Sequence, residues 1–252
     1  MVPEAFQPIS VKPPSSNPVL FWLRCWVDLQ LSTIVKYLRP SIADLRGRIL
    51  DVGAGESPWK EWLSPQCQYQ GIDVSNSDEY GMHADRRDVM YYDGKVMPFP
   101  DASFDGAICI EVLEHVQRPD EFIAEIARVL KKGSILLLSV PWSARRHHLP
   151  HDYHRFTRER IESLLTENGF DDVRIQERGN DVGSIASKLI VLEIRLIKSG
   201  RTTDGIWTIP LAAIMSPIVV AMVLAAHISD AIGRGSKEDP LGYFVRAVRR
   251  TH

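Results

Sequence analysis

The stretch Ile49-Leu50-Asp51-Val52-Gly53-Ala54-Gly55-Glu56-Ser57-Pro58 constrains this chain more than any other. The short apolar run from Arg48 to Val52 reads as a buried parallel strand. It ends in two glycines spaced one apart, where the backbone can adopt positive φ and a ligand can approach the main chain closely. Ser57 is predicted as an N-cap and Pro58 as the first residue of a short helix reaching Leu63. Such a helix start presents free N–H groups to a carboxylate or phosphate. Twenty residues after Gly53, Asp73 ends a second strand, Tyr69 to Val74. An acidic side chain there accepts hydrogen bonds from both ribose hydroxyls of a nucleoside.

Two cofactor classes fit this turn. A dinucleotide fold wants G-x-G-x-x-G, and the third position here is Pro58. The choice between a nicotinamide cofactor and S-adenosylmethionine therefore falls to the rest of the chain. Further strands are predicted at Asp88 to Tyr92, Phe104 to Ile110, Ser134 to Val140, Asp172 to Glu177 and Leu241 to Val248. Between them, Glu121 to Leu130 has a helical apolar face of Phe122, Ile123, Ile126, Val129 and Leu130, and Thr157 caps a helix running to Asn168-Gly169. Strands alternating with helices at this spacing mean a doubly wound, mostly parallel α/β sheet. Ahead of it, residues 1–18 are proline-rich and read as a disordered or extended arm without a secretory signal. Phe21 to Leu38 reads as one helix with Leu23, Trp26, Val27, Leu31, Ile34 and Leu38 on one face, broken by Pro40, after which Ser41 caps a short helix to Leu45. A net charge of −2 offers no global field for nucleic acid. Three widely spaced cysteines, Cys25, Cys67 and Cys109, argue against a disulfide framework and fit a reducing cytoplasm.

The block Met97-Pro98-Phe99-Pro100-Asp101-Ala102-Ser103-Phe104-Asp105 runs into Ile110-Glu111-Val112-Leu113-Glu114-His115-Val116, with Arg128-Val129-Leu130-Lys131-Lys132-Gly133 after it. In this order the blocks resemble the class I S-adenosylmethionine-dependent methyltransferases, in the large small-molecule subgroup of the type 11 kind. The resemblance covers roughly Arg48 to Val140. It implies a Rossmann-like seven-stranded sheet with helices on both faces and S-adenosylmethionine as cofactor. It also implies that Asp51, Gly53, Ala54 and Gly55 lie by the methionine part of the cofactor, Asp73 on the ribose and Asp93 on the adenine amino group. Glu111 and Val112 would line the cleft near the sulfonium. Where the family often has a third alternate glycine, this chain has Ser57.

Beyond the fifth strand lies a polar loop, Trp142 to Thr157, holding His147, His148, His151 and His154 among arginines and aromatics. Loops at the carboxyl ends of parallel strands bind ligands. In one reading the loop binds the acceptor, with His151 or His154 as general base and Tyr153, Arg155 and His115 on the substrate. In a second, Asp152 and Arg155 pair to brace the loop, with Tyr153 and Phe156 in the core. In a third it is a metal site, which no carboxylate–histidine spacing enforces; no metal is expected.

Residues 183–198 are apolar with Lys188, Arg195 and Lys198 near one helical face, and Gly205 to Ser229 carries no Asp, Glu, Lys or Arg. Ile206 to Ala226 is long enough to cross a bilayer, but Pro210 and Pro217 should kink it, and a single crossing would part the last strand from its sheet. The expectation is an apolar helical pair inserted before the last strand (residues 181–235), dividing the core at 19–180 from its last strand at 236–252. The pair serves as peripheral membrane contact, with Arg201 joining the other cations near headgroups, or as a lid or homodimer surface. The expected activity is methyl transfer to a small-molecule or lipid-linked acceptor, in the cytoplasm or on the inner face of the membrane. The rivals are a nicotinamide-dependent oxidoreductase and a non-catalytic subunit that has kept the fold.

Overall fold

In a computed structural model that describes residues 8–75, 88–198 and 202–251, the glycine turn leaves the carboxyl end of an inner strand of a seven-stranded sheet. The strands are β1 (Arg48–Val52), β2 (Gln68–Val74), β3 (Val89–Tyr92), β4 (Phe104–Ile110), β5 (Leu130–Pro141), β6 (Phe170–Arg178) and β7 (Gly242–Arg249), and their order across the sheet is β3-β2-β1-β4-β5-β7-β6. Neighbours are parallel except that β7 runs antiparallel between β5 and β6. The chain steps outward from β1 to β3 and then returns to β4. The carboxyl ends of β1 and β4 therefore flank the point where the winding reverses, and open sheets bind ligands there.

Strand residues alternate between two apolar layers. Leu50, Val52, Cys109, Leu136, Leu138 and Val245 face α3 (Pro119–Val129) and α4 (Arg158–Glu167), while Ile49, Ile108, Leu137 and Phe244 face α2 (Leu29–Ile42). The five apolar residues predicted for α3 are all buried, and Thr157 caps α4 through the Arg160 N–H at 3.2 Å. The described part of the N-terminal arm is irregular up to a 3-10 turn at Pro14–Ser16 and is held down: Arg24 donates to the carbonyls of Ser10 and Ile9 at 2.8 and 2.7 Å. Its first seven residues, like Arg201, lie outside the described set.

Three local expectations are corrected. The N-terminal helix is two helices, α1 (Pro18–Val27) and α2, because Asp28 caps the second through Leu31 N–H at 3.1 Å. The break rotates α1, so Phe21 and Cys25 are buried while Leu23, Trp26 and Val27 face outward; α2 instead continues through Pro40 to Ile42. No helix starts at Pro58. Ser57 takes a positive φ of 51° and its hydroxyl sits 2.8 Å from Tyr69 Oη, so it caps nothing, and only a three-residue 3-10 turn, Lys60–Trp62, follows. Finally, α6 (Thr202–Ala231) runs unbroken through Pro210 and Pro217. The other half of the inserted pair, α5 (Asp181–Ile197), packs along it, and Ser216, next to Pro217, hydrogen-bonds both Glu193 and the Ala212 carbonyl.

Candidate active site

A cavity of about 710 Å³ opens at the carboxyl ends of β1, β2 and β4. Its floor is made by close backbone approaches. Gly53 has φ +72°, and a Cβ there would fall 2.3 Å from a methyl of Val112, so only glycine fits under that side chain. The N–H groups of Gly53 and Ala54 both donate to the Ile72 carbonyl, at 2.9 and 3.1 Å, tying the turn to β2. Asp73 closes the corner: one carboxylate oxygen accepts from Gly55 N–H and the other from Val74 N–H, each at 2.8 Å. Burial raises the Asp73 pKa, and these two N–H groups oppose the shift. Asp93 lies on the same wall and accepts from Lys95 N–H at 3.0 Å. Glu111 has φ +56°, and its Oε1 accepts from Ser139 Oγ at 2.7 Å and from Arg178 Nη2 at 2.8 Å. The Arg178 side chain is fully buried; it also donates to Gln30 and Val140 carbonyls and to Thr33, binding α2 to the sheet behind the cavity.

Of the residues singled out from sequence, Gly53, Asp73, Asp93, Glu111, Val112, His115, His151 and Tyr153 line this cavity. Asp51, Ala54, Gly55, His154 and Arg155 do not. Asp51 is buried and accepts from Tyr69 Oη at 2.8 Å. Ala54 packs toward Gly71, and Gly55 contributes through its N–H to Asp73. Arg155 makes a double hydrogen bond to Asp152 at 2.6 and 2.9 Å, so that pair braces the loop. Phe156 is in the core as the bracing reading requires, whereas Tyr153 is 39% exposed and on the cavity wall. The His154 ring turns away, against Phe156, with centroids 5.2 Å apart.

At the far end of the cavity, His115 Nδ1 lies 2.6 Å from the His151 carbonyl oxygen. His151 Nδ1 is 3.2 Å from Tyr153 Oη, which accepts from Gln117 Nε2 at 2.8 Å. Imidazole and phenol groups at a cavity mouth can take or hold a proton. Behind His115 stand three groups that sequence reasoning did not bring together with it: Glu114, His147 and His148. Burial pushes His147 down to about 4, lowers His115 and raises the Glu114 carboxyl. The legible signal was the adjacent pair Glu114-His115 together with His147-His148. It was missed because the two pairs lie on different loops, far apart in sequence, that meet only in the folded chain.

Doubly wound topology, a glycine crossing and a buried carboxylate at the second strand end define a nucleoside-binding α/β domain. Residues 24–175 match the family model described as a methyltransferase domain, and the chain belongs to that family. It is 31% identical over 124 residues to an O-methyltransferase of Aspergillus nomiae, covering 45% of this chain and 55% of that protein. It is 33% identical over 104 residues to a fatty-acid O-methyltransferase of Mycolicibacterium smegmatis, covering 38% of each. The chain thus spans about half, or less, of the length of these relatives. Among solved structures it resembles a possible histamine N-methyltransferase of Thermotoga maritima, with TM-score 0.53, 14% identity and coverage of 93% and 96%. It also resembles the cyclase SpnF, with TM-score 0.53, 21% identity and coverage of 88% and 82%. These likenesses are to the fold, which hosts more than one reaction. The cofactor of the methyltransferase family is S-adenosylmethionine, and the residues present fit it. Gly53, where a Cβ would collide with Val112, and Asp73, a buried acceptor, line the same cavity.

Proposed function

We propose that this protein transfers a methyl group from S-adenosylmethionine to a hydroxyl of a small polar acceptor, free or lipid-linked. The observation that carries this is one cavity lined at one end by Gly53, Asp73 and Asp93 and at the other by His115, His151 and Tyr153. The cofactor supplies an activated methyl on a cationic sulfur, so the protein's task is placement. Asp73 would hold the ribose diol, Asp93 the adenine amino group, and Glu111 and Val112 would close the wall beside the sulfur. His151, steadied by Tyr153, takes the acceptor proton. None of α5 or α6 lines the cavity among the described residues, and the polar groups offered to the acceptor hydroxyl lie at the His115, His151 and Tyr153 end.

S-adenosylhomocysteine should raise the unfolding temperature and NAD should not; stabilisation by NAD alone would point to the oxidoreductase instead. Asp73→Ala removes a charged acceptor, on the order of 2 kcal/mol or roughly 30-fold in affinity. Calorimetry showing wild-type affinity in this variant would take Asp73 out of the site. Labelled methyl partitioning into organic solvent after incubation with cell extract would mark a lipid-linked acceptor, and aqueous label a free one.

A separate observation supports a place of work. Gly205–Ala231 is long and apolar enough to cross a membrane, yet Asn180, at the start of α5, donates to Ser229 Oγ and the Arg234 carbonyl at its end. Both ends of the pair are thus anchored to the sheet, so α5 and α6 lie on or dip into one leaflet. Ile206 and Trp207 are 68% and 80% exposed, and the apolar surface continues onto α1, where Trp26 meets His227 at 4.6 Å. Arg195 and Lys198 are exposed beside it, and free thiols at Cys25, Cys67 and Cys109 suit the cytoplasmic face. A patch of this kind on a monomer marks an interaction surface, and aromatic residues with flanking cations suit a headgroup layer. The protein should co-sediment with vesicles containing anionic phospholipid, and Trp207→Glu with Ile214→Glu should release it. A protein that stays in the supernatant and elutes as a homodimer would assign the patch to a second copy.

A further inference from the structure

The loop after β5 and the turn after β4 bring together four side chains, of which His115 also lines the cavity above and Glu114, His147 and His148 stand behind it. Ligand atoms of His115, His147 and His148 all lie within 4.8 Å of one another. The Glu114 carboxylate beside them is wholly buried, and neither oxygen has a hydrogen-bond partner. Its Oε1 is 3.7 Å from His115 Nε2 and 3.9 Å from His147 Nε2. A tetrahedral ion with bonds of about 2.1 Å needs ligand atoms roughly 3.4 Å apart, so side-chain adjustments of a few tenths of an ångström suffice along these edges.

The tautomers are set for it. His115 Nδ1 faces the His151 carbonyl at 2.6 Å, and His147 Nδ1 faces the Arg145 carbonyl at 3.0 Å and Asp152 Oδ2 at 3.6 Å. A ring that donates Nδ1–H to a carbonyl keeps an unprotonated Nε2, and both Nε2 atoms point at Glu114. Metal-bound histidines are oriented in this manner by carbonyl or carboxylate partners. An unpaired, fully buried carboxylate is costly in a protein that gives it no donor. A cation between it and the imidazoles removes that cost.

We propose that Glu114, His115, His147 and His148 form a site for a divalent transition-metal ion, zinc by preference. Three imidazoles and one carboxylate make a closed tetrahedral set suited to a structural ion. The ion would fasten the 142–157 loop to the turn after β4 and so hold His151 and Tyr153 at the cavity mouth.

The test uses the full chain, stripped with chelator and titrated with Zn²⁺ and with Co²⁺. One ion per chain, a rise in unfolding temperature with Zn²⁺, and the visible spectrum of four-coordinate Co²⁺ are expected. His147→Ala and Glu114→Gln should each weaken binding on the order of 100-fold or more, whereas His227→Ala, on α6, should not. His148→Ala, at a partly exposed position, serves if Glu114→Gln fails to fold. Absence of stoichiometric binding by the wild-type chain, or wild-type affinity in both His147→Ala and His148→Ala, would overturn the site.

Discussion

Gly53→Ala is expected to weaken binding of S-adenosylhomocysteine roughly 100-fold while leaving a folded protein. The positive φ of 72° costs a side chain about 1–2 kcal/mol. The new methyl also lands 2.3 Å from a Val112 methyl, far inside the ~3.5–4.0 Å of carbon contact. Val112 must rotate into the cavity it lines, so relief of the clash occupies cofactor space. The backbone strain lowers stability, whereas the displaced Val112 costs on the order of 3 kcal/mol, or roughly 100-fold, in affinity. Adding Val112→Ala to the same chain removes the colliding methyls and should restore binding in part. A double-mutant cycle with no coupling between the two positions would show that the Gly53 turn does not depend on Val112 in this way.

Arg178 carries the largest expected effect on stability. Its guanidinium is fully buried and bonds Glu111, Thr33 and the carbonyls of Gln30 and Val140. Arg178→Met keeps much of the volume but leaves the Glu111 carboxylate with Ser139 alone and strips donors from α2 and β5. Removing the buried partner of a pair whose carboxylate is 24% exposed costs about 3 kcal/mol, which in a chain of this size lowers the unfolding temperature by roughly 6–12 °C. Because the uncompensated carboxylate causes much of the loss, Arg178→Met with Glu111→Gln should be more stable than Arg178→Met alone. Calorimetric scans of the three variants decide it; a double variant no better than the single would place the loss in the α2 contacts instead.

The strands and the crest were legible because their signals are local. Apolar runs of strand length, the glycine turn at Gly53 and the acid at Asp73 each state a backbone requirement within a few residues. The α3 face was legible because a 3.6-residue period survives packing unchanged. The N-terminal helix was misread for an equally physical reason. Periodicity continues across Asp28, but that carboxylate satisfies the Leu31 N–H and restarts the helix at a new rotation. Ser57 was misread because a cap and a left-handed turn residue look alike in sequence, and the partner that decides between them, Tyr69, comes from the next strand.

By itself, the order of residues determined the doubly wound sheet, the glycine turn that lies beside Asp73, and the apolar pair before the last strand, since all three follow from backbone rules and hydrophobic patterning. Tertiary structure alone decided which polar groups meet. Arg178 reaches Glu111 across 67 positions, Glu114 finds His147 on another loop, and Arg155 is consumed by Asp152. Hydrogen-bonding groups in a buried site are satisfied by whatever the fold brings within 3 Å or so, and that proximity is written in the sheet's crossovers, where no local pattern can express it.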